Sequence, residues 1–338
     1  MTTDLPATTI NIYPDLMHEE DLTPDCGVEI DATCEEIENA VKGWGCDKGR
    51  LVAALGSTTP EDRLKIAIRY KDMFDKDLKS VMKKEVSGDL GTVMKYLALS
   101  PVEAECAMIK AACKGIGAHR GILYSIICGR SNKDMDLLKK TYYKLYTKDL
   151  TALLLSELGG DLETLVSACL QASEEEFDPD YHTLDKAKDD AEEIWKKGQG
   201  KFFGTDEAKL FKVVVMSPPK YLKMVNDAYA EEYGYTLIKA MEKELGGKAE
   251  DAAIFALKMR FKPYEAIAGI IKKACAGIGT DEDFLTCSII RYQDLMGHVN
   301  FAHEELYGKS VHERVRSECS GHYKDVLLAL LNKTSPEE

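Results

Sequence analysis

At 338 residues, with 45% hydrophobic residues and a formal net charge of −14, the chain is long and apolar enough to bury a substantial core, which excludes global disorder. The acidic balance excludes a free-standing nucleic-acid binder, which needs a basic patch or stripe. It also argues against attraction of the chain as a whole to anionic lipid, because like charges repel, so an acidic membrane is expected to be reached through a cation.

The ten cysteines include Cys34, Cys46, Cys106, Cys113, Cys275 and Cys287, and none belongs to a CxxC pair. Several fall at apolar positions of helix-like stretches, where a free thiol packs as a small hydrophobe. That pattern predicts a reducing, cytoplasmic setting rather than a disulfide framework. The opening residues Met1 to Pro6 lack the basic start and apolar run of a secretory signal. No stretch approaches the roughly 18 uninterrupted apolar residues of a spanning helix. Membrane contact is therefore expected to be peripheral.

In chain order, residues 1–30 hold Pro6, Pro14 and Pro24 and no helical period, and are expected to form an extended tail. Four units follow at residues 31–101, 102–171, 186–262 and 263–334, with an acidic linker, 172–185, between the second and third. The first contains Lys42-Gly43-Trp44-Gly45 and the second Lys114-Gly115-Ile116-Gly117. The third contains Phe202-Phe203-Gly204-Thr205-Asp206-Glu207 and the fourth Gly277-Ile278-Gly279-Thr280-Asp281-Glu282. Successive final glycines lie 72, 87 and 75 residues apart.

A second motif travels with the first: Glu85-Val86-Ser87-Gly88, Glu157-Leu158-Gly159-Gly160, Glu244-Leu245-Gly246-Gly247 and Glu318-Cys319-Ser320-Gly321. Each glutamate follows its loop's last glycine by 40 residues, or by 39 in the fourth unit. One glycine turn means little; four near-identical spacings are difficult to obtain by chance. Between the motifs the apolar period is helical, as in Leu90, Val93, Met94 and Leu97, or Leu162, Leu165, Val166 and Cys169. About five short helices per unit are expected, with no strands. Thr205 and Thr280 are expected to cap the helices that follow their loops. The linker run Glu174-Glu175-Glu176-Phe177-Asp178-Pro179-Asp180 is expected to be solvent-exposed.

A Gly-x-Gly loop can turn several backbone carbonyls toward one point, and calcium takes about six to eight such hard oxygens. Three carbonyls and one bidentate glutamate leave room for water or a lipid phosphate. A single carboxylate leaves the site net positive and weak until anionic lipid completes it. The residue inside each loop is apolar (Trp44, Ile116, Phe203 or Ile278), and at a loop tip it is expected to dip into the membrane interface.

Rival chemistries lack their essential residues. Gly308-Lys309-Ser310 resembles the end of a phosphate loop, but His303 stands where that loop needs glycine. Asp178-Pro179-Asp180 opens like an EF-hand, but Thr183 occupies the position that demands glycine. The histidines show no metal pair at a useful spacing, and no enzyme activity is expected. The remaining alternative is a helical interaction scaffold acting through tail or linker with little calcium dependence.

Together, the Lys-Gly-x-Gly loops, the Gly-Thr-Asp-Glu helix start and the Glu-x-Ser/Gly-Gly motif resemble the annexin repeat. The resemblance covers roughly residues 32–333, apart from the linker. It implies an all-α fold of four five-helix repeats in a curved disc, without catalysis. It also implies calcium-dependent binding to phosphatidylserine-type anionic membranes, and it allows a protein partner at the tail or linker and self-association on membranes. The implied calcium ligands are the carbonyls of Val41, Gly43 and Gly45 with Glu85, and those of Cys113, Gly115 and Gly117 with Glu157. In the fourth repeat they are Cys275, Gly277 and Gly279 with Glu318, and in the longer third loop Gly200, Phe202 and Gly204 with Glu244. Cys46-Asp47-Lys48 and Ala118-His119-Arg120 depart from the family's Thr-Asp-Glu, losing the capping hydroxyl and an accessory glutamate. The expected order of filling is the fourth site, then the first and third, then the second.

Overall fold

A computed structural model describes residues 6–19, 26–43, 45–115, 117–198, 207–277 and 279–333. Among these residues there are twenty α-helices and no strand, five helices to each repeat. The first repeat comprises α1 (Gly27–Val41), α2 (Lys48–Gly56), α3 (Pro60–Phe74), α4 (Leu78–Glu85) and α5 (Gly88–Leu97). The second comprises α6 (Pro101–Ala112), α7 (Arg120–Ile127), α8 (Asn132–Tyr146), α9 (Leu150–Glu157) and α10 (Gly160–Leu170). The third has α11 (Leu184–Gly198), α12 (Glu207–Met216), α13 (Pro219–Tyr233), α14 (Leu237–Glu244) and α15 (Gly247–Phe261). The fourth has α16 (Pro263–Ala274), α17 (Glu282–Arg291), α18 (Met296–Tyr307), α19 (Val311–Glu318) and α20 (Gly321–Asn332).

Local chemistry explains why the helices start and stop where they do. The fourth helix of every repeat is capped by a short polar side chain that accepts a backbone N–H, namely Asp77, Asp149, Thr236 and Ser310. The third helix of every repeat ends on a left-handed residue. Gly234 and Gly308 fill that position in the last two repeats, Asp75 and Thr147 in the first two. Glycine enters this conformation freely, and a β-branched residue does so only under strain. Thr147→Gly is therefore expected to raise stability by about 0.5–1 kcal/mol, after the glycine's own entropy cost, as read from a chemical denaturation midpoint.

The helices gather into two compact units. One holds the described residues up to Ile12 together with Ala112–Ala266. In it α10 packs on α12 and α15, and α15 on α7. Tyr124 meets Phe255 with ring centroids 5.7 Å apart. Leu162, Leu165, Val166 and Cys169, the expected inner face of α10, are all buried. Gly129 sits so close to Met259 that a Cβ there would lie 2.4 Å from the methionine Cβ.

The other unit holds Tyr13–Ala111 and Ile267–Glu338. Here α2 packs on α20, and α5 on α17 and α20. Leu90, Val93, Met94 and Leu97 of α5 are buried, as are Tyr323, Val326, Leu327 and Leu330 of α20. All ten cysteines are free thiols, six of them buried, in keeping with their expected role as packing residues.

Two expectations need correction. The tail is not simply extended up to residue 30, since α1 starts at Gly27 and Asp15–His18 form one 3-10 turn. Nor is the whole linker solvent-exposed: Asp178, Pro179 and Asp180 are, but the Glu174 side chain is only 4% exposed and pairs with Arg260, equally buried. The tail joins this pair. Thr9 donates its N–H to Glu174 Oε1 (2.5 Å) and its hydroxyl to Oε2 (2.6 Å), while Arg260 Nη1 donates to Thr9 Oγ1 (3.0 Å). Arg260 Nη2 also donates to the carbonyl of Val215 (2.5 Å). Alongside, the N–H of Ile12 donates to Asp134 Oδ2 (2.6 Å) and Ser131 Oγ donates to Asn11 Oδ1 (2.5 Å). In the other unit the Tyr13 hydroxyl donates to Glu105 Oε2 (2.6 Å), and Glu105 pairs with buried Arg291. Burial works against the Arg291 cation, but the Glu105 carboxylate together with Tyr292 and Tyr13 outweighs it and holds the pKa above the ordinary value.

Candidate functional site

The glycine loops of the first, second and fourth repeats share one backbone geometry. Glycine φ values are 111° and 83° at Gly43 and Gly45, 101° and 83° at Gly115 and Gly117, and 103° and 89° at Gly277 and Gly279. Side-chain-bearing residues rarely adopt such angles, which is why both positions are glycine in each loop. Each loop closes in the same way: Asp47 N–H donates to the Ala40 carbonyl (2.9 Å), His119 to Ala112 (2.8 Å) and Asp281 to Ala274 (2.8 Å). Val41, Cys113 and Cys275, the outermost candidate carbonyl donors, stand one residue beyond that acceptor.

The next helix is capped one residue later than expected. Asp281, not Thr280, accepts the N–H of Phe284 (3.0 Å). Asp47 accepts that of Arg50 (3.0 Å), and His119 Nδ1 that of Ile122 (3.1 Å). Losing the threonine hydroxyl therefore leaves the first two repeats with intact caps. Thr205 lies outside the described residues.

Glu85, Glu157, Glu244 and Glu318 are each the last residue of an eight-residue helix, α4, α9, α14 and α19. The glycine that opens the following helix again has positive φ, at 68°, 61°, 59° and 57° for Gly88, Gly160, Gly247 and Gly321. A helix C-terminus favours cations, so a carboxylate there is mildly unfavourable for the helix itself. Helix stability gives no reason to place an acid at that point in four separate helices.

The carboxylates return to their loops in three repeats. The Cys113 thiol is pushed up to about 11, first by burial and then by the Glu157 charge. Cys275 is pushed up to about 12 by burial and then by Glu318. Cys46, inside the first loop, is raised by burial and then by Glu85. Each glutamate is thus close enough to its own loop to be felt there, although some 40 residues separate them in sequence. The surroundings differ: Lys84 Nζ donates to Glu85 Oε1 (3.0 Å), and Arg314 lies 3.8 Å from Glu318. Glu85 is 21% exposed and Lys84 is 82% exposed, so water screens that pair and a competing cation can displace the lysine.

Of the expected loop residues, Gly200, Phe202 and Gly204 of the third repeat lie outside the described residues, as do the loop-tip residues Trp44, Ile116, Phe203 and Ile278. Among the described residues no three His, Cys, Asp or Glu side chains gather as a metal cluster. The donor set offered by a described loop is backbone carbonyls with one carboxylate, all hard oxygen, which fits calcium rather than zinc or copper. Gly308 and Ser310, the phosphate-loop look-alike, have structural duties instead. Gly308 terminates α18 in a left-handed conformation, and Ser310 forms a capping box with Glu313 on α19. No described helix is long and apolar enough to cross a membrane.

The family profile described as Annexin matches residues 32–97, 104–169, 189–255 and 266–330, one match per repeat. Annexin A13 of Mus musculus is 30% identical over 319 residues, spanning 93% of this chain and 99% of its own length. Among solved structures, annexin III aligns with a TM-score of 0.81 at 24% identity, covering 98% of this chain and 99% of its own. Calcium-bound annexin (Sm)1 aligns with a TM-score of 0.77 at 23% identity, covering 95% and 99%.

Proposed function

Because the chain belongs to the annexin family, whose members generally bind phospholipid in a calcium-dependent way and are not enzymes, we propose that it attaches reversibly to membranes rich in phosphatidylserine-type anionic lipid, from the cytoplasmic side. The carbonyls of Val41, Gly43 and Gly45 with Glu85 hold calcium in the first repeat. Those of Cys113, Gly115 and Gly117 with Glu157 do so in the second, and those of Cys275, Gly277 and Gly279 with Glu318 in the fourth. Gly200, Phe202 and Gly204 with Glu244 form the third site. When bound, calcium supplies the positive charge that joins an acidic protein to an acidic surface. Trp44, Ile116, Phe203 and Ile278 enter the interfacial layer beside it.

The observation that carries this reading is the approach of Glu85, Glu157 and Glu318 to their own loops. The loops supply neutral donors, so the glutamate is the one ligand that sets the charge of each site. Lys84 releases Glu85 as that carboxylate turns to the loop, and is then available to a lipid phosphate.

The test is sedimentation of the full chain with phosphatidylcholine vesicles containing phosphatidylserine, across a calcium titration and after chelation. Binding is expected to rise with calcium and to reverse fully when the metal is removed. Attachment to these vesicles that is indifferent to the chelator would favour the scaffold reading instead.

A further inference from the structure

The lysines around α4 and α5 are not all accounted for by ion pairs. Lys76 pairs with Glu38 at 2.5 Å and Lys84 with Glu85 at 3.0 Å, whereas Lys79, Lys83 and Lys95 form no ion pair among the described residues. Lys79 and Lys83 stand one helical turn apart on α4, so they share a face. The helix α4 packs directly on α5, which carries Lys95. Lys79 lies in the first turn of α4, where the helix dipole disfavours a cation, so helix stability does not explain it.

Lys95 is half-buried, with Nζ 4.4 Å from the centroid of the Tyr96 ring. Burial pulls its pKa below the ordinary lysine value; Asp283 and Cys287 act in the opposite direction, and the charges of Lys79 and Lys83 lower it further. Three cations therefore share one neighbourhood, and the carboxylate that acts on Lys95 there is the exposed Asp283, in a chain whose net charge is −14. Such a cluster is self-repelling until an anion enters it.

We propose that Lys79, Lys83 and Lys95 form a binding site for a phosphomonoester, distinct from the calcium loops and independent of calcium. A phosphomonoester carries a charge of about −1.5 to −2 at neutral pH and presents three strong acceptor oxygens. The single charge of a phosphodiester neutralises the cluster less. Lysine ammonium groups are rotatable point charges that follow a tetrahedral oxyanion without needing a planar fork. The monoester group could belong to a lipid headgroup or to a soluble phosphate compound, and the two sources separate experimentally.

The full chain, kept in chelator, is titrated calorimetrically with inositol hexakisphosphate and with inorganic phosphate. In parallel it is sedimented with phosphatidylcholine vesicles, with or without a phosphatidylinositol monophosphate. The double variant Lys79→Gln, Lys83→Gln is expected to weaken binding by roughly tenfold or more. The Lys79→Arg, Lys83→Arg pair should retain it, and Lys76→Gln should change it by less than about twofold. Binding in the vesicle arm identifies a lipid headgroup as the source, and binding confined to the soluble arm identifies a free phosphate compound. No saturable binding in either arm, or an equal loss in Lys76→Gln, overturns the proposal. Calcium-driven sedimentation with phosphatidylserine vesicles is run on the same variants. Its failure in the unmodified chain would count against the calcium reading and leave this one standing.

Discussion

Replacing Arg260 with alanine is expected to lower stability by about 3–5 kcal/mol, because it leaves a carboxylate buried without its cation. Glu174 and Arg260 are each only 4% exposed, so water cannot take over the missing partner. The variant also removes a donor from the Val215 and Ser217 carbonyls and from the Thr9 hydroxyl. Tail residues Thr9 to Ile12 dock at this place, so the same change should loosen them. Calorimetric unfolding measures the loss, and limited proteolysis measures how much faster the tail is cut. A companion variant, Glu174→Gln with Arg260→Met, keeps the volume and removes both charges. It should recover most of the loss, since a buried pair is worth little against well-packed neutral residues. If Arg260→Ala unfolds within about 1 kcal/mol of the unmodified chain, the pair is not the anchor that its burial indicates.

Changing Glu85, Glu157, Glu244 and Glu318 together to glutamine should reduce attachment to phosphatidylserine vesicles more than about a hundredfold at a fixed calcium level. Glutamine keeps the shape of the side chain but removes what the proposed function makes the only charged ligand, and one strong acceptor oxygen, from each site. On that proposal the four weak sites act together on one membrane, so their losses compound rather than average. The fold should not suffer. Each carboxylate sits at a helix C-terminus, where negative charge is mildly unfavourable, so thermal stability should hold or rise by a few tenths of a kcal/mol per site. Undiminished vesicle binding would remove these carboxylates from the calcium chemistry. Loss of folding would assign them a structural task instead.

Much of the architecture is legible along the chain because it is written in short-range terms. The period of Leu90, Val93, Met94 and Leu97 marks the buried face of α5, and those four side chains are indeed buried. The paired motifs recur at constant spacing because each repeat must place a helix end beside a loop. All four glutamates close the fourth helix of their repeat. The paired glycines announce backbone angles that only glycine enters easily, and the three described loops have them. Cap chemistry is less sharply legible. A threonine followed by an aspartate offers two capping oxygens, and in the fold it is Asp281 that accepts the N–H of Phe284.

What the linear order could not reveal is which distant charge meets which. A run such as Glu174 to Glu176 looks solvated because acids without partners must be. The partner of Glu174 is 86 residues away on α15. The tail, with three prolines and no helical period, looks unattached for the same reason, although Thr9 and Tyr13 each complete a buried ion pair. Local periodicity and glycine placement thus set the helices, the repeats and the candidate loops, since helix propensity and backbone sterics act over a few residues. The pairing of buried charges was decided by tertiary packing alone, because desolvation penalises a charge only once distant segments have closed over it.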